Sequence, residues 1–254
     1  MLSKISCKKN ASVFIALVLI MSIVWPSSIM AAGTGDDPRA IPDIPSPEQM
    51  TAKQQKIAII KQLETLRKQA AINGGVSPFS NIATLSVPSF EQETNYWCGP
   101  ATTKQVLHYL NKSSESQSYY ANELGTTTDG TVFSIIDDVL NDHQSKTTYI
   151  YQTFSSNEYD TWETIMLASA NLFIAPAVLD LQISPSYMPL YTTHIAGHIL
   201  NTSGYDILDP NNKKIRLTDP FDQGGRGVTL GNVWHPMEGV WQANQAHFRK
   251  AVIY

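Results

Sequence analysis

Apolar and polar positions along this chain divide it into stretches of different character. From Ala11 to Trp25 every residue except Ser12 and Ser22 is apolar, a run short of the about 20 apolar residues that a membrane-spanning helix needs. Further on, Ile59, Leu63, Leu66 and Ala70 recur at helical spacing with Lys, Gln and Glu between them. Ser46-Pro47-Glu48-Gln49 predicts the start of that helix, with Ser46 as N-cap, Pro47 in the first position and Gln49 in the third. Asn73-Gly74-Gly75 predicts its end. Beyond Leu85 the pattern predicts helices over 98–110 and 162–172, the first with Val106, Leu107 and Leu110 available for burial. Apolar or β-rich runs then follow over 173–181, 198–205 and 214–218. Helices first and strands afterwards point to an α+β architecture with an antiparallel sheet.

The first apolar run changes the picture of where the chain goes. Lys4, Lys8 and Lys9 precede it, and Pro26 and the small residues Ser27, Ser28, Ala31 and Ala32 follow, so residues 1–32 read as a cleavable export signal. An uncleaved segment would instead anchor the protein to a membrane. Residues 33–84 read as a linker and the N-terminal helix. The Gly-, Asp- and Pro-rich start, 33–47, is expected to be a flexible tether, and the helix either packs on the domain surface or acts as a pro-segment. Residues 85–254 form the expected main domain. The formal charge of the whole chain is -4, and losing 1–32 removes three lysines and no acid. No long Lys/Arg run is present, so nucleic acid is not an expected partner. A hydrophobic content of 43% is sufficient for a core that carries the stability without a disulfide.

Candidate chemistry centres on Cys98. The other cysteine, Cys7, lies in the signal, so the exported chain keeps one thiol with no internal partner, a pattern that suggests either intermolecular pairing or a free reactive thiol. Cys98-Gly99-Pro100 opens a predicted helix, whose terminal N–H groups and dipole favour a thiolate. Gln92, six residues earlier, can offer a side-chain N–H to an oxyanion, and the Cys98 backbone N–H a second. A thiol nucleophile also needs an imidazole. Of six histidines, His198 opens a strand-like run ending in Gly204-Tyr205, a rigid position for a base, and His194 lies four residues before it. No clear third ligand accompanies that pair, so no metal and no cofactor is expected. His108, inside the cysteine helix, reads as structural, and His143, His235 and His247 as surface or core residues. Asp219, after the 214–218 run, is the expected partner of the imidazole, with Asp206 and Asp209 as rivals in the predicted turn after Tyr205. The chain has neither a Gly-x-Ser-x-Gly elbow nor a phosphate-binding loop, and Gly224-Gly225-Arg226-Gly227 reads as a turn.

Gln92, Cys98-Gly99-Pro100-Ala101, Gly197-His198 leading to Gly204-Tyr205-Asp206, and Asp219-Pro220 together resemble the bacteriocin-processing-like (double-glycine peptidase-like) branch of the papain-like cysteine peptidases. The segment from Tyr120 through Gly130-Thr131 is similar to that branch's helix and turn after the nucleophile, and the resemblance spans about 85–250. It implies a papain-like fold, with a helical part carrying the cysteine packed on an antiparallel sheet carrying His and Asp. It further implies Cys98 as nucleophile, His198 as base, Asp219 as its orienting partner and Gln92 at the oxyanion. Two departures stand out: no transporter or ATPase is fused here, and Asn201, Thr202 and Ser203 occupy strand positions where the family tends to be apolar. The expected protein is thus a bacterial exported or cell-envelope cysteine peptidase or amidase, acting on a peptide or cell-wall peptide through a thioester. A non-catalytic binding module and an acyltransferase or transpeptidase on the same residues are the rival readings.

Overall fold

The computed structural model describes residues 35–254; the expected signal, 1–32, lies outside them. Helix α1 (Pro47–Asn73) starts as its sequence predicts. Ser46 accepts from the Gln49 N–H, the Gln49 side chain reaches back to the Ser46 N–H, and Gly74 closes the helix in the left-handed conformation. After the short strand β1 (Ile82–Thr84) come α2 (Cys98–Asn111), α3 (Gln117–Glu123) and α4 (Ile136–His143). Strand β2 (Tyr151–Thr153) and α5 (Tyr159–Asn171) lead into β3 (Val178–Ile183), β4 (Ile195–Asp206), β5 (Lys214–Asp219) and β6 (Gly231–Pro236). Helix α6 (Met237–Ala246) and β7 (Ala251–Ile253) close the chain. None of the described helices is long and apolar enough to cross a membrane.

The strands form one antiparallel sheet in the order β2-β7-β3-β4-β5-β6, with β1 paired to the far end of β4. Alternate residues of the central strands feed two apolar layers, as strand geometry requires. Val178, Ile199 and Ile253 face a layer with α2, α3 and α4, built on Val106, Leu107, Leu124, Ile136 and Leu140. Leu179, Leu200 and Val252 face the other, with α5 and α6, built on Trp162, Ile165, Leu167, Val240 and Trp241. The result is the α+β arrangement expected from the papain-like resemblance: a helical part bearing Cys98 set against a sheet bearing His198 and Asp219. Trp162 is fully buried, with Trp241 5.5 Å away centroid to centroid and Tyr159 at 6.1 Å. Trp162→Ala is expected to cost about 3–5 kcal/mol, the range for deleting a buried large aromatic side chain. A urea titration with an unchanged slope and a lower midpoint is the reading that checks it.

Helix α1 is fastened along its length. Arg67 bonds Glu163 and Thr164 on α5, at 2.8 and 2.6 Å, and Glu163 also takes Lys213 at 2.6 Å. Near the other end, Lys53 donates to the Tyr151 carbonyl, and Lys56 to that of Thr148 at 2.7 Å. Lys56 is ringed by Tyr149, Phe173 and Tyr254, and this burial pushes its ammonium down to about 7. The segment before α1 departs from expectation. Gly35 and Asp36 are buried, and residues 35–37 are hydrogen-bonded to the main domain, so this part of the expected tether is held in place. The reason is polar: an Asp carboxylate and the adjacent N–H groups find fixed partners, which composition alone does not reveal.

Candidate active site

Cys98 is the first residue of α2. It is a free, fully buried thiol, and Trp97 before it caps the helix with no side-chain bond. The N–H groups of the first turn therefore have no side-chain capping partner, which leaves them for another ligand. Gly99 permits this start: a Cβ there would meet Thr131 Oγ1 at 2.3 Å, so Thr131 can press against the helix end only because residue 99 is glycine. Helix α2 is tied to β4 by Thr102 Oγ1, which donates to the Ile199 carbonyl at 3.0 Å, and by Asn201 Nδ2, which donates to Gln105 Oε1 at 2.7 Å. Gln105 also donates to the Phe90 carbonyl at 3.0 Å, fixing the loop ahead of the cysteine. The polar residues of β4 thus have work to do: Asn201 joins helix to strand, and Thr202 Oγ1 accepts from the Ala177 N–H at 3.0 Å.

His198 stands on β4 with no exposed surface. Its Nε2 lies 2.6 Å from Asp219 Oδ1, at the end of β5, and its Nδ1 has no conventional hydrogen bond. Burial pushes the imidazole down. The Asp219 carboxylate, by charge and hydrogen bond, together with the neighbouring Cys98 thiol, outweighs that and holds His198 up at about 10. The site therefore favours an imidazolium beside the sulfur at neutral pH. Asp219 is itself held by the Phe221 N–H at 2.8 Å and by the Tyr191 hydroxyl, whose pKa burial and the carboxylate raise far above the ordinary value. Tyr191 lies in a loop with no sequence pattern, and nothing in the chain's periodicity singled it out.

The other expected residues fall as follows. Gln92 is fixed by its backbone N–H to the Pro220 carbonyl at 2.8 Å, next to Asp219. One N–H of its side chain donates to the Thr94 carbonyl at 2.8 Å, and its Oε1 is buried without a partner. His194 precedes β4, is exposed and lies 3.0 Å from the Gln182 amide, so it does not share the buried site of His198. Asp206 and Asp209 accept from the N–H groups of Leu208 and Asn211, two residues on in each case, and serve their turn. His108 pairs with Ser114, and His143 with Glu123. His235 and His247 are buried, and burial pushes both down to about 4. Glycines 224, 225 and 227 all have positive φ, as the expected turn requires.

One buried acid escaped the sequence reading. Asp180, on β3, is wholly buried; desolvation, then the nearby Asp36 and Cys98, raise its carboxyl far above the ordinary range, against the pull of the Asp36 N–H and His198. It sits opposite Ile199 in the β3–β4 pair, within an otherwise apolar run of Ala177, Val178, Leu179 and Leu181. The charge within that run was the available signal.

Comparison with curated proteins finds no match. Among solved structures, xylellain, a cysteine protease from Xylella fastidiosa, is similar at 14% identity and a TM-score of 0.49, over 88% of this chain and 96% of that one. Recombinant stem bromelain precursor is similar at 9% identity and a TM-score of 0.46, over 89% of this chain and 77% of that one. A model of the Peptidase_C39 like family matches residues 84–247, a span that contains Gln92, Cys98, His198 and Asp219. The chain belongs to the Peptidase_C39 like family of cysteine peptidases.

Proposed function

We propose that the chain is an exported peptidase or amidase in which Cys98 is the nucleophile, His198 the acid–base group, Asp219 its orienting partner, and Gln92 a donor to the oxyanion. The observation that carries this reading is the buried imidazole held by Asp219 on Nε2, with Nδ1 left over and the Cys98 thiol as its neighbour. Proton transfer from Cys98 to His198 gives a thiolate and an imidazolium, the state the Asp219 carboxylate stabilises. The sulfur attacks the carbonyl carbon of a peptide bond, and a C–S bond forms as the oxygen takes the negative charge. The helix-start N–H groups and the second N–H of Gln92 are the donors for that oxygen. The C–N bond then breaks, the leaving amine takes the proton from His198, and a thioester remains. Water gives a proton to the neutral imidazole and attacks the thioester; the C–S bond breaks, the acid leaves, and the thiolate returns.

Export is supported by the basic and apolar start of the sequence, and a peptide or cell-wall peptide is the substrate class that fits. The test is to incubate the protein with peptide pools and cell-wall fragments in ¹⁸O-water and to identify products by mass spectrometry. New termini carrying ¹⁸O in the released carboxyl are expected. Products joined to an added amine instead of to water would move the reading to acyl transfer, and a folded protein releasing nothing would favour a binding module.

A further inference from the structure

Tyr191 is 1% exposed and belongs to the loop between β3 and β4. Its hydroxyl donates to Asp219 Oδ2. The other oxygen of that carboxylate, Oδ1, is taken by His198 Nε2 at 2.6 Å and by the Phe221 N–H at 2.8 Å. Tyr191 is thus the one donor that Oδ2 has among the described residues. Burial and the adjacent carboxylate raise the phenol far above its ordinary range, so it stays a donor at every working pH. Three donors on two oxygens fix the plane of the carboxylate. Asp219 could not turn from the imidazole without leaving a buried polar group unpaired.

The loop is built to hold that hydroxyl in place. Leu190, Thr192 and Thr193, on either side of Tyr191, are each bonded to the turn that follows Asp219. The Thr192 N–H donates to Gln223 Oε1 at 2.6 Å, and Gln223 Nε2 donates to Thr193 Oγ1 at 2.6 Å. Arg226 Nη2 donates to the Leu190 carbonyl at 2.8 Å. Gln223 is itself buried, and its N–H donates to Thr229 Oγ1, which donates in turn to the Phe221 carbonyl. A chain of bonds therefore runs from Asp219 through Phe221, Thr229 and Gln223 back to the flanks of Tyr191. The glycine-rich turn around Arg226 is part of that chain. On its other face the phenol ring stacks on His235 of β6, with centroids 5.8 Å apart and planes at 24°. Burial outweighs the pull of the Asp219 charge and keeps His235 down at about 4, so the backing ring is neutral at working pH.

We propose, resting on the peptidase reading above, that Tyr191 is a positioning residue for the reaction: it holds Asp219 against His198, and Gln223 and Arg226 hold Tyr191. Phenylalanine fills the same space, so Tyr191→Phe isolates the hydroxyl from the packing. The test compares the full chain with Tyr191→Phe, Asp219→Asn and the double variant. It reads product release from the peptide pool and iodoacetamide labelling of Cys98 by mass spectrometry, both across pH. Tyr191→Phe should slow product release roughly 10–100-fold, the factor of a hydrogen bond to a charged group. The acid limb of both profiles should move to higher pH, because a carboxylate charge held by fewer donors yields to protons sooner. The other titratable groups around the pair, Asp180 and His235, are common to all four proteins, so the movement reports the hydroxyl. In Asp219→Asn the same substitution should cost much less, since a neutral amide gains less from the hydroxyl than a carboxylate does. Far-UV circular dichroism checks the fold. Should Tyr191→Phe not fold, Arg226→Ala decides: freeing the Leu190 carbonyl should move the limb in the same direction by a smaller amount, and an unmoved limb counts against the proposal. A folded Tyr191→Phe with the parent's rates and acid limb, or a loss undiminished in Asp219→Asn, would overturn this proposal alone. A parent that releases no product and leaves Cys98 unlabelled would overturn the peptidase reading and this proposal with it.

Discussion

Cys98→Ala should abolish turnover, with a loss on the order of 10⁶-fold in kcat, the scale seen when a hydrolase loses its nucleophile. The reasoning is chemical. The proposed thioester needs a sulfur at residue 98, and among the described residues no other cysteine is present to take over. Structural cost should be small, because alanine keeps the helix start and removes one atom from a packed site. Product formation from the peptide pool, measured alongside the urea midpoint, separates the two effects. Turnover retained in a folded Cys98→Ala would remove the thiol from the mechanism.

His198→Ala is the second large expectation: a fall of about 10²–10⁴-fold in kcat/KM, the contribution of a positioned acid–base group, with His194→Ala close to the parent. His194 is exposed and its ring meets only the Gln182 amide, whereas His198 has Asp219 at 2.6 Å and the thiol beside it. Asp219→Asn should cost less than His198→Ala, since an amide oxygen can still accept from the ring while the charge that favours the imidazolium is gone. The pH dependence follows from the same pair. His198 in the folded protein is raised to about 10 from an ordinary 6.5, so its stabilising contribution is complete below about 6.5 and is lost as pH rises through about 10. Unfolding midpoints across that window should fall more steeply for the parent than for Asp219→Asn. Full activity in a folded His198→Ala would transfer the role to another group.

Much of this arrangement was legible in the chain because local rules and tertiary packing agreed. The capping box at Ser46, the glycine after Asn73 and the helix opening at Cys98 each follow from short-range chemistry, and each appears. The strand carrying His198 was found but read too short, since β4 runs from Ile195 to Asp206. It is buried almost throughout, which erases the alternation that marks strand ends. The run over 173–181 was placed too early for a similar reason: Ile174 takes a positive φ and the strand begins only at Val178. Strand β6, helix α6 and strand β7 were not predicted, being short elements whose stability comes from partners distant in sequence. At the site, His198 and Asp219 stood out because strand ends and glycines flank them. Tyr191 and Asp180 did not, since each acquires its importance from a neighbour far along the chain: Asp219 and Asp36.

The shortness of the connection between Asp37 and Pro47 has a thermodynamic consequence. Helix α1 is pinned to α5 by Arg67 and to the main domain near β2 by Lys53 and Lys56, so it fixes the point from which residues 35–37 can search. A segment tethered so closely meets its partners at an effective concentration in the millimolar range, however weak its individual contacts. The segment's hold is thus set as much by the anchorage of α1 as by the bonds that Gly35 and Asp37 make to Thr131 and Asp36 makes to Arg249.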